Sequence, residues 1–102
     1  IGQSENDSGV LLIVAPNERK VRIEGYSDSR GDPQANLALS QARAQTVADL
    51  LLNLGIAAER IEVRGYGERF PLAENASARG RAQNRRVEIL FSDVEGNLGP
   101  DR

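Results

Sequence analysis

Gly25-Tyr26-Ser27-Asp28-Ser29-Arg30-Gly31-Asp32-Pro33 is the stretch on which the reading of this chain turns. Ahead of it, Lys20 to Tyr26 alternates apolar and polar residues. Val21 and Ile23 point one way and Arg22 and Glu24 the other, the pattern of a half-buried strand. Behind it, Asp32-Pro33 opens a helix, because the aspartate oxygen can accept from a free backbone N–H and proline gives up a donor that had no partner there. The helix is predicted to run to about Asn53, with Gly55 available for the left-handed residue that ends it. Leu39, Val47, Leu50, Leu51 and Leu54 recur at helical spacing, so they are predicted to form the stripe that faces the core.

Arg43 falls on that stripe, four residues after Leu39 and four before Val47. A guanidinium there needs a partner or an opening to solvent, because an unpaired buried charge is very costly. Asn36 lies two turns earlier on the same line, and Asp28 stands at the strand end. A carboxylate, an amide and a guanidinium are therefore expected to converge at the mouth between strand and helix. From position alone, Asp28 reads first as a turn carboxylate accepting backbone N–H groups, which is what aspartate most often does after a strand. Arg43 could equally be a clamp that pairs Asp28 internally.

Further along, Arg60 to Tyr66 alternates again, with Ile61 and Val63 on one face. Gly67 to Asn84 is rich in Gly, Pro, Asn and Ala and reads as a long loop carrying a short helix around Ser77 to Gln83, capped by Ser77. Arg86 to Ser92 returns to strand, with Val87, Ile89 and Phe91 inward. The outer faces of the three strands offer Arg22 and Glu24, Glu62 and Arg64, and Arg86 and Glu88, opposite charges that can pair across strands. The order strand, helix, strand, loop, strand predicts an α/β (α+β) two-layer sandwich, a mixed sheet with helices on one face. Residues 1–9 read as a flexible start, 10–92 as the domain and 93–102 as a loose tail. The apolar run Val10 to Ala15 carries no period and fits a buried strand or a short helix.

Composition narrows the function. A chain of 102 residues with 39% hydrophobic and 27% charged residues suits one folded domain. With no histidine, cysteine or methionine, the commonest general base, the usual zinc ligands and the soft-metal ligands are absent, and no cofactor or metal is expected. The net charge of −2 and the lack of aromatics among Arg79, Arg81, Arg85 and Arg86 argue against nucleic acid. No apolar run is long enough to insert into a membrane. Asp28 and Asp32 could sit at a glycosidase spacing, but Asp32 reads as a helix cap and no sugar platform accompanies them, so no enzyme is expected.

The run Gly25-Tyr26-Ser27-Asp28, then Gly31, Asn36, Leu39-Ser40, Arg43-Ala44, Gly55-Ile56, Arg60-Ile61, Gly65-Tyr66-Gly67, Pro71, Asn75, Gly80-Arg81 and Asn84-Arg85-Arg86-Val87-Glu88 resembles the OmpA C-terminal-like domain, over roughly residues 20 to 92. The resemblance implies a βαβαββ core and non-covalent binding of peptidoglycan through the diaminopimelate of its stem peptide, anchoring a periplasmic or outer-membrane envelope protein of a Gram-negative cell to the wall. It implies Asp28 as acceptor of the diaminopimelate ammonium and Arg43 as receiver of its carboxylate. Asn36 becomes a hydrogen-bond partner and Leu39 an apolar wall of the same pocket, although Leu39 taken alone reads as an ordinary core leucine. Ser27 stands where threonine is usual and keeps the hydroxyl, and Tyr26 stands where histidine is more familiar. Asn84-Arg85-Arg86 is implied to be chiefly a latch onto the sheet, with Arg86 the arginine that touches peptidoglycan. The family's first strand and full helix cannot be supplied by the residues before Pro16, so the N-terminal part reads as shortened and as placing the end of a helix at 10–15. A sheet edge left uncovered in this way leaves room for a homodimer. The alternative is an envelope assembly module of the same fold that binds another protein instead.

Overall fold

The computed structural model describes residues 19–102. Period-two alternation gives three strands, β1 (Val21–Tyr26), β2 (Ile61–Gly67) and β3 (Arg86–Phe91), in the order β2-β1-β3. β1 runs parallel to β2 and antiparallel to β3, so the sheet is mixed. A parallel pair needs a long crossover, and here it is the helix α1 (Pro33–Asn53), followed by a short 3-10 turn at Ala58–Arg60. Asp32 caps α1 by accepting from the Ala35 N–H at 2.9 Å, and Gly55 takes φ +100° just beyond the helix end. The second helix, α2 (Ala78–Asn84), is capped by the Ser77 hydroxyl, which accepts from the Gly80 N–H at 3.0 Å. The α+β architecture and the positions of these elements are those expected from the sequence. The expected helix or strand at 10–15 lies outside the described residues.

The face that α1 buries differs from the expectation. Its buried residues are Asn36, Ser40, Ala44, Ala48 and Leu51. Leu39, Leu50 and Leu54 are 45%, 48% and 45% exposed. The cause lies in the sheet. A Cβ added at Gly25 would stand 2.0 Å from the Ser40 carbonyl oxygen, and one at Gly65 would stand 2.7 Å from the Gln41 nitrogen. The helix backbone therefore rests almost directly on two strands around Ser40 and Gln41, and only small side chains such as those of Ser40 and Ala44 fit beneath it there. Val21, Ile23, Ala44, Ala48, Leu51 and Ile56 form the core, with Val47, Ile61, Val63, Val87 and Ile89 packed against it.

The opposite face is polar but not open, and all six residues of β1 are buried. Arg22 donates to Glu62 across the register pair at 3.1 Å. Glu24 faces Glu88, a like-charge pair that would repel. The Tyr26 hydroxyl donating to Glu24 at 2.7 Å, and Arg86 donating to Glu88 at 2.6 Å, offset it. Residues 93–102, read as a loose tail, carry no regular structure yet are tied to this face. Arg22 donates to the carbonyls of Gly99 and Pro100 at 2.9 and 3.1 Å, and Asp101 meets Arg64 at 3.2 Å.

Candidate functional site

The site grows from the end of β1. The Ser27 N–H donates to the Gly67 carbonyl at 2.8 Å, which extends the β1–β2 ladder one residue past the strand. The buried Ser27 hydroxyl turns back to donate to the Asp28 carbonyl at 3.0 Å. Asp28, only 7% exposed, uses each oxygen differently. Oδ1 accepts from the Arg30 N–H at 2.9 Å, closing a tight turn, and Oδ2 accepts from Arg85 Nη1 at 2.7 Å. A second guanidinium, that of Arg30, stands 3.9 Å from Oδ2. The Arg30 N–H first, and then the Arg85 bond, hold the Asp28 carboxyl below the usual aspartate range against the opposing effect of burial. The group is thus a carboxylate at any physiological pH.

Asn36, in the first turns of α1, fixes the loop that carries Asp28. Its amide donates to the Arg30 carbonyl at 2.9 Å and to the Asp28 carbonyl at 3.4 Å. Arg43 follows two turns along, about 10 Å up the helix axis on nearly the same line. It is half-buried, and among the described residues it has no hydrogen-bond or ion-pair partner. Leu39 lies one turn before it, half-exposed, so it is surface wall and not core.

The structure therefore brings Asp28 and Asn36 into one bonded unit and sets Arg43 and Leu39 along the same helix. It does not form the internal Asp28–Arg43 clamp, because Arg85 has taken that role. Arg86 does not join the mouth. Its guanidinium lies 3.7 Å over the Tyr26 ring on the outer face and donates to Glu88 and, at 3.0 Å, to the Phe70 carbonyl. The reason is parity: Arg86 is the outward residue of β3, so the arginine before it turns to the α1 side. The alternation that put Val87 and Ile89 inward was the signal that could have singled out Arg85. The latch role is carried by Asn84, which is fully buried and accepts from Leu72 N–H and Ala73 N–H at 2.8 and 3.0 Å. It also donates to Asn75 at 3.0 Å, and Asn75 in turn accepts from the Ser29 N–H at 3.1 Å, so the loop after β2 is bonded to the mouth.

A cleft of about 290 Å³ lined by Pro33, Gln34, Leu37, Tyr66, Gly67, Glu68 and Arg69 includes none of Asp28, Asn36, Leu39, Arg43, Arg85 and Arg86. No cluster that could hold a metal is found among the described residues.

A βαβαβ sheet with this bonded loop and this helix places the chain in the OmpA family, whose sequence pattern matches residues 7–85. It is 49% identical to the probable lipoprotein YiaD of Escherichia coli, over a match covering 85% of this chain and 40% of that protein. It is 45% identical to the peptidoglycan-binding protein ArfA of Mycobacterium bovis, with 79% and 24% of the two chains covered. It superimposes on the crystal structure of the peptidoglycan-associated lipoprotein from Burkholderia pseudomallei with a TM-score of 0.75 at 31% identity, covering 81% of this chain and 70% of that one. The chain thus spans less than half the length of the two sequence relatives.

Proposed function

We propose that this domain binds peptidoglycan without covalent attachment, through the diaminopimelate of the stem peptide, and so anchors a cell-envelope protein to the wall. The observation that carries this reading is Arg43, a half-buried guanidinium without a partner among the described residues, aligned with the Asn36 that fixes the Asp28 loop. A half-desolvated cation with no partner suits an anionic ligand better than it suits stability. Asp28 supplies the complementary charge. Diaminopimelate carries an ammonium and a carboxylate on its side-chain end, so one residue can meet both groups. The names of the relatives, which include peptidoglycan-binding and peptidoglycan-associated proteins, support the same reading.

In this account Asp28 accepts the ammonium, sharing its oxygens with Arg85. Arg43 donates to the carboxylate, and Leu39 walls the methylene chain between them. Arg85, adjacent to the expected Arg86, is the arginine placed to contact the ligand. The role is binding and not catalysis, in the periplasm of an envelope-anchored protein. No helix among the described residues is long and apolar enough to cross a membrane. Asp28→Asn and Arg43→Ala should each abolish pull-down by purified peptidoglycan while the circular dichroism stays that of the parent. Retention of either folded variant at parental level would overturn the assignment. β3 lies at an edge of the sheet among the described residues, and pairing of two copies along it belongs to the same proposal. A strict monomer by sedimentation over a wide concentration range would contradict that part.

A further inference from the structure

We infer that the sheet face opposite α1 is a recognition surface for an extended Gly-Pro-Asp-Arg peptide, occupied here in cis by residues 99–102. The route of the chain onto this face is built. Beyond β3, Asp93 closes a turn by accepting from Glu95 N–H and Asn97 N–H, each at 2.9 Å, and Gly96 takes φ +89°. Gly99 at φ +80° then lays the last residues across the strands. Proline suits the next position, since it offers a carbonyl and has no N–H to satisfy.

The face reads each following group separately. Arg22 is 5% exposed and forks onto two consecutive backbone carbonyls, those of Gly99 and Pro100, at 2.9 and 3.1 Å. The Asp101 carboxylate sits between two guanidiniums, 3.2 Å from Arg64 and 3.4 Å from Arg22. Arg102 is held through both its backbone and its guanidinium. Its N–H donates to the Tyr66 hydroxyl at 3.2 Å, its guanidinium donates to the Tyr26 hydroxyl at 2.8 Å, and it lies 4.5 Å over the Phe70 ring. Backbone, acid and base are each matched by a complementary group, and several of those groups are buried. Charge-assisted bonds at fixed geometry of this kind give selectivity as well as affinity. A surface that merely tolerated a tail would not show a fork for carbonyls, a paired cation for an acid and an aromatic shelf for a base in the order of the sequence.

The test uses the full chain carrying Asp101→Ala and Arg102→Ala, which weakens the cis segment without touching the face. A synthetic peptide of residues 95–102 is titrated in, and the Nε–H signals of Arg22 and Arg64 are followed by NMR. Saturable shifts at those two groups are expected. The peptide should bind the parental chain at least about tenfold more weakly than the substituted chain, because a tethered segment competes at an effective concentration in the millimolar range. A peptide bearing the same two alanines should also bind at least about tenfold more weakly, as should the native peptide to a chain that also carries Arg64→Gln. Equal responses to the two peptides, or no shift at Arg22 and Arg64, would overturn the inference. A parental chain that sediments as a dimer with these contacts made between copies would overturn the cis assignment.

Discussion

The two faces of this sheet are closed by opposite means. Under α1, contact is made by removing atoms: Gly25 and Gly65 let the helix backbone down onto the strands, and alanine and serine fill what space remains. On the far face, contact is made by adding atoms, with long side chains of Arg22, Arg86 and Arg102 reaching across the strands to carboxylates, carbonyls and rings. A face closed by shape tolerates almost no added volume, whereas a face closed by hydrogen bonds tolerates volume and is sensitive to charge and pH. The candidate site lies where neither means is complete, at the end of β1 and along the first turns of α1, where Arg43 has no partner among the described residues.

The largest effect should come from adding one methyl group to the tight face. Gly25→Ala would drive a Cβ into the Ser40 carbonyl and should lower stability by about 3 kcal/mol or more, read from the urea midpoint. Next is a pair of neighbouring leucines that the hydrophobic stripe treats alike. Leu51 is wholly buried and Leu50 is half-exposed. Leu51→Ala should cost about 3 kcal/mol and Leu50→Ala under about 1 kcal/mol. Equal losses would mean that the helix sits on its leucine stripe after all.

On the polar face, Arg22→Ala leaves Glu62 and Asp101 without their buried partner. Since both carboxylates reach solvent, 34% and 53% exposed in their side chains, the loss should be about 2 kcal/mol and not the larger cost of a fully buried pair. The pH dependence then separates the outer face from the site. Burial first, and then the bond to Glu24, push the Tyr26 phenol up from 10.0 to about 12. The folded state therefore favours the neutral phenol, and its contribution is complete below pH 10 and fades as pH rises towards 12. Substituting phenylalanine at Tyr26 should remove this alkaline limb from a stability–pH curve. Asp28 has the opposite sign. Its carboxyl is held below the usual aspartate range, so its contribution is present above that range and fades as pH falls through the lowered value. Asp28→Asn should flatten the acid limb and leave the alkaline one unchanged.

The elements were legible because each carries a local signal. Alternation marks three strands, Asp32-Pro33 starts α1, Gly55 ends it and Ser77 starts α2. The buried face of α1 was not legible from the helix alone, because leucine periodicity records apolar area while the choice of face was made by glycines on other elements. The bonding of Asn36 to the Asp28 loop was legible because loop and helix start are close in sequence. The bond from Arg85 to Asp28 was not, since it joins residues 57 positions apart at the ends of neighbouring strands, although strand parity pointed to it. The docking of residues 99–102 depends on a fork from Arg22 that no local pattern encodes.

The most direct test of the account is a residue-resolved titration of the domain with two stem peptides that differ only in diaminopimelate or lysine at the third position. Lysine keeps the ammonium for Asp28 and lacks the carboxylate for Arg43. A site built for a charged group rejects an analogue without it, so the diaminopimelate peptide should bind at least about a hundredfold more tightly, with shifts centred on Asp28, Asn36 and Arg43. Equal affinity for the two peptides, or shifts confined to other residues, would contradict the assignment of Asp28 and Arg43 as the two poles of the site.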